Sequence, residues 1–186
     1  MLFASCSPKN ISEKYYFQHE KVLDRIEESY KELYNQTPFS IAFTDKAFHT
    51  VSLDIITDSM KYIFEFGEGE QRIADTLEKY GMNADRILQL ITRMQDIRCT
   101  WINKFDYYVD EKRNSLIFMS IKPVVLKAPF SNKKYYILTY FTQPQEFDSE
   151  GRLLDKRRQR RLRKINGEIF HRINDKVCYT ISAAYR

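Results

Sequence analysis

The chain has 186 residues, of which 43% are apolar and 30% charged, with only 5 Gly and 5 Pro. This suits one ordinary buried core and excludes collagen-like, low-complexity and linker-dominated classes. No apolar run approaches the roughly 18 residues needed to cross a bilayer as a helix. The net charge is +5, yet the segment Lys156 to Lys164 (KRRQRRLRK) alone contributes seven positive charges, which leaves the rest of the chain at −2. The composition is that of a near-neutral globule with one basic spot, not of a uniformly basic nucleic-acid binder.

The first ten residues run from apolar to small to polar around a cysteine: Leu2-Phe3-Ala4-Ser5-Cys6-Ser7-Pro8-Lys9-Asn10. This resembles the end of a bacterial lipoprotein signal peptide, the lipobox, with Ala4 and Ser5 as the small residues before the cysteine. The resemblance implies that Cys6 receives a diacylglycerol on its thiol, that the peptide is cut before it, and that the new amino group is acylated. It further implies a Gram-negative envelope protein, and Ser7 looks like the outer-membrane sorting preference of such lipoproteins. A basic n-region and most of an apolar h-region are missing ahead of the box. The resemblance therefore requires a start upstream of Met1; the alternative is a slightly apolar tail with a chance cysteine. Residues 1–10 are read as signal-peptide remnant and tether, and 11–186 as one domain.

From Ile11 to about Gln36, Tyr15, Val22, Ile26, Tyr30 and Leu33 recur at helical spacing, which predicts an amphipathic helix with Asn10 as N-cap. The period then changes to two through Phe39, Ile41 and Phe43, then Val51, Leu53 and Ile55, then Tyr62, Phe64 and Phe66. The breaks at Asp45-Lys46 and Thr57-Asp58-Ser59 are short enough to demand antiparallel hairpins. Ile73, Leu77 and Tyr80 mark a helix stopped by Gly81, and Asn83 caps a second whose stripe is Ile87, Leu90, Ile91, Met94 and Ile97. Strands are then expected at Phe105 to Val109, Leu116 to Ile121, Tyr135 to Phe141, Glu168 to Ile173 and Val177 to Tyr185, with turns at Asp110 to Asn114 and Asn174-Asp175. The predicted class is α+β: an antiparallel sheet of about eight strands in two groups, with an N-terminal helix and a central helix pair packed on it.

Motifs that carry chemistry are absent from the sequence. His19, His49 and His171 have no second histidine or cysteine at metal-ligand spacing, so neither a metal nor a cofactor is expected. Gly67-Glu68-Gly69 lacks the rest of a phosphate loop. With Cys6 lipidated, Cys99 and Cys178 form an even pair that an oxidising compartment would allow to bridge, but their apolar neighbourhoods favour two buried reduced thiols. The basic residues Lys156, Arg157, Arg158, Arg160, Arg161, Arg163 and Lys164 form the candidate anion-binding site. Wound into a helix, they cover most of the circumference and leave only Leu154, Leu162 and Ile165 as an apolar stripe. Three readings follow: a solvated surface paired with nearby carboxylates, a contact for anionic lipid headgroups beside the anchor, or a phosphate-binding patch for nucleic acid. The expected partners are the membrane, through the anchor, and anionic lipid or an envelope protein, rather than nucleic acid; a motif-less enzyme is the third class. The oligomeric state is not legible.

Overall fold

The computed structural model describes residues 8–67, 69–109, 112–121, 135–153 and 170–182. It has an N-terminal helix α1 (Pro8–Gln36), strands β1 (Phe39–Phe43), β2 (Thr50–Ile56) and β3 (Lys61–Gly67), and helices α2 (Arg72–Lys79) and α3 (Ala84–Asp96). Strands β4 (Cys99–Val109), β5 (Lys112–Ile121), β6 (Tyr135–Phe141), β7 (His171–Arg172) and β8 (Val177–Ser182) follow. The eight strands form one sheet in the order β3-β2-β1-β4-β5-β6-β8-β7, and every pair whose register is described is antiparallel. The α+β architecture expected from the alternation of periods is the one present.

Residues group into two compact units, 21–104 and a second made of 1–20 with 105–186, so α1 and β4 each contribute to both. In the first unit, alternation decides the faces. Phe39, Ile41 and Phe43 on β1 pair with Ile55, Leu53 and Val51 on β2, and these pair with Tyr62, Phe64 and Phe66 on β3. The apolar rows thus share one face, against which Tyr30 of α1 sets its ring at 5.1 Å from Phe39. The α3 stripe Ile87, Leu90, Ile91 and Met94 is buried as its spacing requires. Asn83 caps it by accepting the Arg86 N–H at 3.0 Å, and Arg86 and Arg93 reach Glu32 and Ser29 on α1.

The stop of α2 is a backbone device. Gly81 takes φ +67°, which lets its N–H bond Glu78 O and that of Met82 bond Leu77 O, both at 2.9 Å, closing the last turn in a left-handed cap that a Cβ would strain. Burial overrides that preference at Phe48, whose φ is also +67°. Its ring packs 4.7 Å from Phe43, its carbonyl accepts Gln95 Nε2 at 2.7 Å, and Asp45 ties the loop by accepting the N–H groups of Ala47 and Thr50.

In the second unit β6 is flanked by β5 and β8. Met119, Leu138 and Tyr179 stand in one cross-strand row and Phe118, Thr139 and Cys178 in another, and all are buried. The Asn174-Asp175 turn forms as its sequence predicts: Asn174 Oδ1 accepts the N–H groups of Lys176 and Val177, both at 2.8 Å. Its amide donates to the Tyr16 hydroxyl at 3.0 Å, fixing the start of α1.

Several boundaries differ from expectation. The helix starts at Pro8, so Pro8 to Asn10, expected as tether, are helical. Its buried line is Ser12, Tyr16, Leu23, Ile26, Tyr30 and Leu33, while Tyr15 and Val22 only flank it. Strand β4 begins at Cys99 because Arg98, at φ +58°, turns the chain straight out of α3. Lys112, Arg113 and Asn114, expected in a turn, already belong to β5, where Arg113 pairs with Asp106 of β4. Residues 168–169 and 183–185 of the last two expected strands lie outside the described residues.

Candidate functional site

Two of the three sites suggested by the sequence, Cys6 and the basic run 156–164, lie outside the described residues. The third is visible. Cys99 and Cys178 are both free and buried, and burial pushes each thiol up to about 12. Cys99 donates its thiol to the Trp101 carbonyl at 3.5 Å. At neutral pH such groups stay protonated and act as small hydrophobes.

His19 and His171 each pack against a tyrosine ring. His19 is half-buried on α1, with its ring 4.8 Å from that of Tyr15, and burial lowers its pKa. His171 stacks on Tyr179 at 5.1 Å; burial, then the charge of Arg152, lowers its pKa. Among the described residues no group of three or more His, Cys, Asp or Glu side chains could hold a metal ion.

The structure does assemble a polar cluster that the sequence pattern did not point to. On the sheet face opposite the apolar rows, Ser40 of β1 stands across from Asp54 of β2. Asp54 Oδ2 accepts the Ser40 hydroxyl at 3.1 Å and pairs with Lys61 Nζ at 2.7 Å. Asp54 is 7% exposed and its Oδ1 makes no hydrogen bond, nor does the Oγ of Ser52 two residues before it. A carboxylate in a strand is disfavoured by propensity, so its presence beside Val51, Leu53 and Ile55 was the available signal. The chemistry of the cluster is limited. Lys61 neutralises the carboxylate and the Ser40 hydroxyl is committed as donor to it, so the trio is an electrostatic pin across β1, β2 and β3 rather than an activated nucleophile.

A shallow groove of about 610 Å³ runs along α3, lined by Asp85, Leu88, Gln89, Thr92 and Arg93. These residues share a helix side, and Arg93 is engaged with Ser29. Thr92 of the same lining donates its hydroxyl to the Leu88 carbonyl at 3.0 Å, within its own helix. No family model, no curated protein and no solved structure matches this chain.

Proposed function

We propose that this chain is a lipid-anchored envelope protein of a Gram-negative bacterium, held at the outer membrane through Cys6, whose folded part has a binding or structural role. The observation that carries the reading is the run Leu2-Phe3-Ala4-Ser5-Cys6, which ends two residues before the first turn of α1 at Pro8. A small-residue pair before a thiol is what a lipoprotein peptidase requires, and a helix starting so soon afterwards leaves the domain on a short leash to the bilayer. The basic residues 156–164 supply a second membrane signal, since each Lys or Arg near an anionic surface adds about 1 kcal/mol.

Expression behind a functional export signal tests the reading. Wild-type protein is expected in the membrane fraction with incorporated palmitate, and Cys6→Ala in the soluble fraction without it. Unlabelled, soluble wild-type protein would end the proposal. Replacing Arg157, Arg158, Arg160 and Arg161 with Gln separates the classes of anionic partner: loss of binding to anionic vesicles supports the membrane reading. Sequence-dependent DNA or RNA binding at physiological salt that disappears in this variant would instead move the protein to the nucleic-acid class.

A further inference from the structure

We infer that β3 is a self-complementary docking strand, which pairs antiparallel with the β3 of a second copy of this chain about a twofold axis at Ile63. The sheet ends differently on its two sides. At one end β7 is only two residues long and continues into the bridge between Arg152 and His171, so among the described residues little backbone is left open there. At the other end β3 is seven residues long and terminal in the sheet order. Met60 and Ile63 are each 60% exposed.

The register of the hairpin says which backbone groups are open. Thr57 donates to the Met60 carbonyl at 2.9 Å, and Ile56 donates to the Pro38 carbonyl on the β1 side. By antiparallel alternation Tyr62, Phe64 and Phe66 bond β2, and the N–H and C=O of Lys61, Ile63, Glu65 and Gly67 point outward. Gly67 confirms the phase: its N–H is taken by Glu70 Oε2 at 2.9 Å and its carbonyl by the Glu70 N–H at 3.2 Å. The open groups are therefore those of Lys61, Ile63 and Glu65, centred on Ile63.

An antiparallel second copy centred at Ile63 satisfies every one of those groups, because Lys61 faces the copy's Glu65, Ile63 faces Ile63, and Glu65 faces Lys61. A shift of the axis by one residue either way leaves some of them without a partner. The side chains select the same register. Opposite charges meet on the face that carries Ile63, where Lys61, half-exposed and already paired with Asp54, turns its further N–H donors to Glu65 of the copy, and on the other face Tyr62 meets Phe64 of the copy, extending the ring row that Tyr80 already covers at 5.5 and 5.8 Å. An edge protected by charge repulsion would carry one sign. This edge carries both, in the order that self-pairing requires. A second copy is the occupant chosen by charge complementarity.

The test uses the full chain carrying Cys6→Ala, analysed by sedimentation equilibrium up to about 100 µM, where a small edge contact is populated. A dimer is expected. Ile63→Pro removes an outward N–H that the β2 ladder does not use, so it should leave the circular dichroism spectrum unchanged and weaken dimerisation at least tenfold. Glu65→Lys, which sets like charges opposite each other, should weaken it as well. Ile63→Cys should oxidise to a covalent dimer, whereas Tyr62→Cys and Phe64→Cys should cross-link only when mixed. A protein that stays monomeric throughout, a dimer indifferent to both Ile63→Pro and Glu65→Lys, or cross-linking of Tyr62→Cys alone would overturn the inference. The cross-links keep the register testable should Ile63→Pro fail to fold.

Discussion

Tyr30 is the side chain whose loss the structure prices most directly. Its ring is fully buried, and its hydroxyl donates to the Phe39 carbonyl at 2.5 Å, with the Lys104 backbone N–H beside it. The hydroxyl thus stands where β1 and β4 part, beyond the paired residues Ile41 with Ile102 and Ala42 with Trp101, and supplies the rung that the ladder lacks there. Tyr30→Phe keeps the ring and its packing and removes one oxygen, so no cavity of note opens. The Phe39 carbonyl is orphaned in a buried site, which costs about 1–3 kcal/mol. The Lys104 N–H keeps Asn103 Oδ1 at 2.8 Å and adds little. For a chain of this size that is a fall in Tm of about 2–12 °C. Urea unfolding followed by Trp101 fluorescence and by circular dichroism measures it, with the slope unchanged because the buried surface is unchanged. A loss below about 0.5 kcal/mol, no greater than that of an ordinary surface substitution, would refute the bridging role.

Three further outcomes follow from the same geometry. Ile91→Ala, on the buried stripe of α3, should cost about 2–5 kcal/mol in the same assay, and a change under about 0.5 kcal/mol would mean that this face is wet. In the Cys6→Ala background native protein should react with a thiol reagent far more slowly than after denaturation, since a thiol at about 12 is thiolate to only about one part in ten thousand at pH 8; equal rates would contradict the burial of Cys99 and Cys178. For His171 the folded pKa lies below its ordinary value of 6.5, so the unfolded chain binds the proton more readily. Its contribution to stability is present above pH 6.5 and is lost as pH falls through the lower folded value. The decline in Tm between pH 7.5 and 5.5 should be shallower in His171→Gln, and an identical decline would remove His171 from the account.

The strands and the helix pair were legible because their apolar residues recur without interruption at two and at three-to-four. The face of α1 was legible only in its second half. Its buried line follows spacings of four and three through Ser12, Tyr16, Leu23, Ile26, Tyr30 and Leu33, and half-buried His19 fills the step between Tyr16 and Leu23. Two of those positions are polar, so apolar pattern alone drifts to Tyr15 and Val22, one residue and about 100° away. Lys112 to Asn114 look like a turn in composition, yet they open β5, with Arg113 paired to Asp106 of β4. The Ser40–Asp54–Lys61 pin left only Asp54, out of place in a strand, as its sign, for a related reason: alternate polar residues in a strand read as a solvated face until the neighbouring strands are in register. Cys6 and the basic run are sequence motifs, and their readings rest on chemistry rather than on placement.

The central claim is the anchor, and intact-mass analysis of protein purified from membranes after export tests it most directly. The account predicts that the mature chain begins at Cys6 and carries the added mass of a diacylglyceryl group and an amide-linked acyl chain, all of it on the peptide containing Cys6. A mature chain that retains Ala4 and Ser5, or that begins at Cys6 with an unmodified thiol, would contradict it.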